Sequence, residues 1–325
     1  MITMREIADA CDVSIMTVSR SLNNSRLVSK NTKKKVLEAC KTLGYIPNSV
    51  AKTLVTRKTN MIGLVVPDID YFYADIIKSI TLALENRNYG VLLCDYNHDK
   101  KKEIEYLYYL LQGRVDGIIL FPINPTKQDY EGFIDRLPIV FANKFATGLN
   151  VSFVGSDNYS GTVQLIEYMI AKEYKRIGVI YSDLSHKSFN DRMRGYKNTL
   201  NKHGIAFDDK IICESRLLFK EGYHFSEQLI AKGVDSIFAF NDVCAMGIVR
   251  YCSDNGIKVP GDIGVAGYDN ITYLELFNHK LTTVDFKGVM LGSKLADLIL
   301  NEISNPQLLK RTIILSPELV FGETV

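Results

Sequence analysis

The sequence predicts a multidomain chain: a small all-α head, a hinge helix, and a larger α/β core of two parallel-sheet subdomains. Three observations carry this reading. Apolar residues over 1–46 recur at helical spacing. After residue 59 short apolar runs alternate with helical stretches, the pattern of parallel strands covered by helices. Charge divides at the same place: residues 1–58 hold 11 basic and 4 acidic side chains, a balance of +7, and the other 28 basic and 33 acidic residues leave the body at −5. A basic head on an acidic body is the footprint expected of a head that meets phosphate, although a solvated basic surface gives the same count. With 325 residues, 46% hydrophobic and 23% charged, composition is that of an ordinary globular protein.

The head resolves into three helices. Met4, Ile7, Ala8 and Cys11 form one apolar face. Asp12 breaks the pattern and tolerates a left-handed turn. Ser14 is suited to cap a second helix with a narrow stripe of Val18 and Leu22. Ser29 caps a third, expected to turn Val36, Leu37, Cys40 and Leu43 inward and Lys33, Lys34, Lys35 and Lys41 mostly outward, with Gly44 as its stop. In the body, Ile62–Val66, Val91–Leu93, Gly117–Phe121, Ile139–Phe141, Ile177–Ile180, Ile237–Phe240 and Ile263–Ala266 read as buried strands. Helical stretches lie near Ile104–Gln112, Val163–Lys172 and Met193–Lys202.

Several function classes are disfavoured. No run approaches the roughly 18–20 apolar residues of a membrane span, and Arg5, Glu6 and Asp9 interrupt any export signal. The six cysteines form no Cys-x-x-Cys pair and none stands near His at metal spacing, which suits reduced thiols in the cytoplasm and neither metal nor cofactor. There is no Gly-x-Gly-x-x-Gly after the first strand, no Walker-type loop, no nucleophile elbow and no His-Glu-x-x-His; the expectation is no catalytic residue and no enzyme.

Ile2 to Asn23 has helix-turn-helix spacing. Its second helix leaves Ile15, Met16, Thr17, Ser19, Arg20 and Asn23 available to a major groove. Ile15 and Met16 can touch thymine methyls, and Arg20 can donate two hydrogen bonds to guanine. The hydroxyls of Thr3, Ser14, Thr17, Ser19 and Ser29 can donate to phosphates. On spacing alone, a helical hairpin used only for packing remains the alternative.

The residues Ala8…Val13-Ser14…Thr17-Val18-Ser19-Arg20…Leu22-Asn23, then Val28-Ser29…Thr32…Val36…Leu43-Gly44-Tyr45-Ile46-Pro47-Asn48…Ala51…Leu54, resemble the LacI/GalR (lactose-repressor) family. The likeness continues through Thr59–Gly63, Gly113–Ile119, Asn241-Asp242, Gly267-Tyr268-Asp269 and Leu281–Val284, so it spans essentially the whole chain. One departure is Asp12, where the family usually has Gly. The resemblance implies a transcription regulator that binds a palindromic operator in double-stranded DNA as a homodimer. It adds Arg26, Tyr45, Asn48, Ala51, Lys52 and Leu54 as DNA contacts. Residues 47–58 then form the hinge, a helix too short to be stable alone in water. Leu54 would wedge into the minor groove; a plain linker is the other reading.

For 59–325 the resemblance implies a periplasmic-binding-protein-like core, with one subdomain of about 59–156 and 288–314 and the other of about 157–287 and 315–325. A small-molecule effector would lie between them at strand C-terminal ends. The implied effector residues are Tyr71, Phe72, Tyr73, Asn143, Arg192, Asn241, Asp269 and Phe286, with Arg192 the clamping group and Asn241 and Asp269 suited to hydroxyls. Asp242 is a further choice to cap the next helix. Tyr71, Phe72 and Tyr73 lie in the stretch Pro67–Ala74, read as a loop, and suit stacking on a sugar or flat ring as well as core packing. Asn143-Lys144 stands where an Asp-Arg pair is common, which alters hydroxyl recognition or suits a more anionic ligand. Leu217 replaces a frequent aromatic and Phe286 a frequent Gln. The expected function is repression of carbohydrate-utilisation genes under control of a sugar or sugar derivative; a purine, another metabolite or a protein partner is the alternative. No leucine heptads for tetramerisation follow Pro317–Val320.

Overall fold

A computed structural model describes residues 2–22, 25–45, 58–144 and 147–325. Asn23, Asn48, Ala51, Lys52, Leu54 and most of the expected hinge lie outside the described residues. The chain divides into two compact units, Met1–Thr59 and Asn60–Val325.

The first unit packs α1 (Met4–Cys11), α2 (Ile15–Leu22) and α3 (Lys30–Leu43) against one another. Each boundary has a local cause. Thr3 and Glu6 form a capping box at the start of α1, and Asp12 ends it in the left-handed conformation, φ 49°. Ser14 accepts the Thr17 N–H at 3.1 Å, and Ser29 accepts that of Thr32 at 3.1 Å. Gly44 closes α3 with φ 66°. Ile7, Ala8, Cys11, Val18, Val36 and Cys40 make the core. Leu37 and Leu43 do not join it: they are exposed, 44% and 41%. Two short partner helices cover only a narrow stripe of α3, the i, i+4 pair Val36 and Cys40, and Leu37 is rotated off it by a residue. Lys35 turns back to donate to the Cys11 carbonyl at 2.9 Å, a cation at the C-terminal end of α1.

The second unit runs β1 (Met61–Val66), α4 (Tyr71–Glu85), β2 (Gly90–Asp95), α5 (Lys100–Leu110), β3 (Gly117–Leu120), α6 (Lys127–Ile134), β4 (Ile139–Ala142), β5 (Ser152–Ser156) and α7 (Asn158–Ala171). It continues with β6 (Ile177–Tyr181), α8 (Lys187–Lys202), β7 (Ile212–Glu214), α9 (Phe219–Ala231), β8 (Ser236–Ala239), α10 (Asp242–Asp254) and β9 (Gly264–Ala266). Last come β10 (Thr283–Asp285), α11 (Gly288–Ser304), β11 (Thr312–Leu315) and β12 (Glu318–Val320).

One lobe holds a parallel sheet ordered β11-β5-β4-β3-β1-β2; the other holds a parallel sheet ordered β7-β6-β8-β9. β10 and β12 pair antiparallel between segments that cross from lobe to lobe. The chain passes between lobes three times, after β5, after β10 and after β11. Both faces of the first sheet are covered, so its strands read as continuous apolar runs. Ile62, Leu64 and Val66 face one core, with Ile76, Ile80 and Leu84 of α4. Val65 faces the other, with Leu107 and Leu110 of α5. In the second lobe α9 and α10 approach until backbones touch: a Cβ on Gly222 would collide with the Cys244 carbonyl, and one on Gly247 with that of Phe219. All six cysteines are buried and unpaired. Among the described residues no helix is long and apolar enough to cross a membrane, and no group of three potential metal ligands occurs.

The α9–α10 contact yields a prediction. Gly222→Ala or Gly247→Ala should destabilise the chain by about 1–3 kcal/mol. Gly132→Ala, in α6 with open space around it, should be neutral or stabilising by up to about 1 kcal/mol. Urea midpoints of the three variants check the contrast.

Candidate functional site

On the head, α2 presents Ile15 (45% exposed), Met16 (60%) and Arg20 outward, while Val18 and Ser21 face the core. Arg26 is exposed beside Leu27, at 77% the most exposed large apolar side chain among the described residues of the head. Several hydroxyls expected at phosphates already serve the fold: Thr3 in the α1 capping box, Ser14 paired with Thr17 at 2.9 Å, Ser29 paired with Thr32 at 2.8 Å. The Thr3 hydroxyl already donates to Glu6 Oε2 at 2.8 Å, and in each Ser–Thr pair one hydroxyl donates to the other, which leaves one proton per pair for phosphate. Ser19 is half-buried, and so is Tyr45, which packs on the head core where burial raises its phenol pKa.

In the second unit the expected effector residues follow strand C-terminal ends, as parallel sheets require. Tyr71, Phe72 and Tyr73 are not in a loop. They form the first turn of α4, because Asp70 caps it by accepting the Phe72 and Tyr73 N–H groups at 3.0 Å each. Burial raises the Asp70 carboxyl pKa despite those bonds. Tyr71 meets Tyr273 of the other lobe edge-on at 4.7 Å, Phe72 packs on Phe286 at 5.1 Å, and Tyr73 on Phe121 at 5.5 Å. Asp75 of α4 accepts the N–H and hydroxyl of Thr272 from the second lobe, at 3.1 and 2.7 Å.

Arg192, 3% exposed, is the hub of the second lobe. Its Nε donates to Asn158 Oδ1 at 2.9 Å, Nη1 to the Phe240 carbonyl, and Nη2 to Asp269 Oδ1 at 2.9 Å. Its guanidinium carbon lies 3.6 Å from the centre of the Tyr268 ring, a stacked cation. Three of five N–H donors are thereby used. Asp269 sits at φ 109°, and burial pushes its carboxyl up to about 7 against the opposing pull of Arg192. Asp242 is fully buried and also raised, chiefly by burial and then by Asp269; it accepts the Thr283 hydroxyl at 2.5 Å and the Ile271 N–H at 3.0 Å.

Asp242 is not the cap of α10. Asn241 is: its Oδ1 accepts the Cys244 N–H at 2.9 Å and its amide donates to the Leu217 carbonyl at 3.1 Å. Asn143 lies just past β4 at φ 62°, and its buried Oδ1 has no partner among the described residues. A cavity of about 520 Å³ between the lobes is lined by Phe72, Asp75, Asp269, Thr272, Phe286 and Lys287, with others. The structure thus gathers Phe72, Asp269 and Phe286 at one cavity, with Arg192 behind Asp269, while Asn143 and Asn241 do not line it. Sequence reasoning missed Asn158 and Tyr268, which hold the Arg192 guanidinium, although Tyr268 stands directly before Asp269.

A three-helix head with an exposed second helix, joined to a two-lobed α/β core with a polar interlobe cleft, defines a DNA-binding regulator with a ligand-sensing domain. Residues 3–48 match the model of bacterial regulatory proteins of the lacI family, and 59–318 match periplasmic binding proteins and the sugar binding domain of the LacI family. The chain belongs to the LacI family of DNA-binding transcription regulators, which are not enzymes. It is 30% identical to the NTD biosynthesis operon regulator NtdR of Bacillus subtilis, covering 100% of both chains. It is similar to the transcriptional regulator CelR–cellobiose complex, 26% identical over 100% of both chains with a TM-score of 0.73. A lac repressor dimer bound to operator and the anti-inducer ONPF shares the fold, at 24% identity, TM-score 0.88, covering 99% of this chain and 98% of that one.

The buried Asp269 carries a pH signature. A folded-state pKa near 7 against an ordinary 3.8 means extra protons bound when folded, so its stabilising share is lost as pH rises from about 4 to about 7. Asp269→Asn should flatten that part of the stability profile. Urea midpoints at steps between pH 4 and 8 check it; parallel profiles for both proteins would refute it.

Proposed function

We propose that the chain is a cytoplasmic repressor of carbohydrate-utilisation genes that binds a palindromic operator as a homodimer, its affinity set by a sugar or sugar derivative in the interlobe cleft. The observation that carries the reading is the Arg192–Asp269 pair. A carboxylate that lines the cleft, backed by a guanidinium with two N–H groups to spare, is a pair that orients a polyol. The description of the matching family domain as sugar binding, and the similar protein's complex with cellobiose, agree with it. A flat-ring metabolite such as a purine is the second reading, favoured by the Phe72–Phe286 wall.

On the head, Ile15, Met16 and Arg20 read bases; Thr3, Ser14, Thr17, Ser19, Asn23, Arg26, Ser29, Tyr45, Asn48 and Lys52 fix register on the backbone; Ala51 and Leu54 belong to the minor-groove hinge. In the cleft, Tyr71, Phe72, Tyr73 and Phe286 supply walls, and Asn143, Arg192, Asn241 and Asp269 the polar contacts. Asn241 has the weakest case, both ends of its amide being engaged in holding α10.

Two experiments test this. Arg192→Lys keeps a charge opposite Asp269 but loses the fork. It should weaken the response to sugar at least tenfold in an operator-release assay, with operator still bound; an unchanged response removes Arg192 from the site. Leu54→Ala should reduce specific operator binding and DNA bending by tenfold or more and non-specific binding little. Equal losses on both would refute the wedge.

A further inference from the structure

Lys144 stands two residues past the end of β4, at the C-terminal edge of the first lobe's sheet. Its ammonium reaches across to the Nδ1 of His186 in the second lobe. With the lysine as an ammonium, which can only donate, the imidazole Nδ1 accepts and His186 is neutral. Burial agrees, holding His186 down to about 4 and Lys144 down to about 8, which leaves the lysine mostly charged at neutral pH.

That charge has no ion-pair partner within 4.0 Å among the described residues; Glu103 and Asp183 act on it only from farther away. The nearby carboxylates are engaged elsewhere. Glu103 accepts from Tyr130, Lys100 and the Ile123 N–H, the last at 2.9 Å. Asp183 accepts the hydroxyl and N–H of Ser185 at 2.7 and 2.8 Å. A largely buried cation without an opposite charge is costly, and the cost falls if a ligand brings the anion. His186 is also the N-cap residue of the 16-residue helix α8 and offers it no side-chain cap, so positive N–H ends lie beside the ammonium. The neighbouring Asn143 Oδ1 is a buried acceptor that a hydroxyl would satisfy.

We propose that the ligand of the cleft is a polyhydroxylated anion whose carboxylate or phosphate is received by Lys144 at the start of α8. The proposal rests on the reading of the core as a metabolite sensor. The rise of α8 measures the ligand. Phe189 packs between His186, at 5.9 Å, and the guanidinium of Arg192, at 5.6 Å. Six residues of helix separate His186 from Arg192, about 9 Å along the axis. A sugar acid or sugar phosphate spans that length with its anion at Lys144 and its hydroxyls at Arg192 and Asp269.

The test is a thermal-shift and titration series on the full chain with matched sets: glucose, glucuronate and glucose 6-phosphate; galactose, galacturonate and galactose 6-phosphate; ribose and ribose 5-phosphate. An acid or a phosphate should raise the melting temperature where its neutral parent does not, and the responding arm tells carboxylate from phosphate. Lys144→Met should weaken that ligand tenfold or more, and Lys144→Arg should restore part of the loss. A neutral sugar that binds Lys144→Met as well as the parent chain overturns the anion proposal and leaves the sensor reading standing. Silence from every member overturns both.

Discussion

The second lobe depends on one buried cation. Arg192 links the start of α7 through Asn158, the end of β8 through the Phe240 carbonyl, and the loop after β9 through Asp269, and it lies flat on Tyr268. A guanidinium in so dry a place is tolerable only because each edge finds an acceptor and its face finds a ring. The same bonds set Asp269 in a backbone conformation that a non-glycine residue seldom adopts. Lobe integrity therefore depends on the same side chain that is proposed to meet the ligand.

Around that hub the electrostatics are poised rather than settled. Asp242 and Asp269 are two buried carboxylates, the second of which raises the first, and their donors are Arg192, Thr283 and the Ile271 and Asn270 N–H groups. Perturbed groups in a cleft commonly mark function. Here they mark a site whose protonation depends on what enters it, since any hydroxyl or charge placed near Asp269 alters the balance between burial and pairing.

What the sequence made legible follows from what periodicity reports. Strands buried on both faces, such as Ile62–Val66 and Gly117–Leu120, stand out as unbroken apolar runs. β7, β11 and β12 do not, being short edge strands with polar or exposed positions. Helix caps at Ser14, Ser29 and Gly44 were visible because capping is local chemistry. Which of Asn241 and Asp242 caps α10 was not, since both residue types cap well and only tertiary contacts with Leu217 and Thr283 separate them. Leu37 misleads for a related reason: its pattern suits a wide apolar face, and the amount of face covered depends on the partners. In the cleft, the family resemblance pointed to Arg192 and Asp269, but the pairing of Lys144 with His186 joins two segments that only the arrangement of the lobes brings together.

The three passages of chain between the lobes have a mechanical consequence. A single tether would leave one lobe free to swing and twist about any axis. Three tethers fix a line, and motion is confined to bending about it, as a door on several hinges has one degree of freedom. The Asp75–Thr272 and Lys144–His186 contacts are the catches of that door. Under the proposed reading, a molecule that engaged them would bias that one motion rather than merely loosen the core.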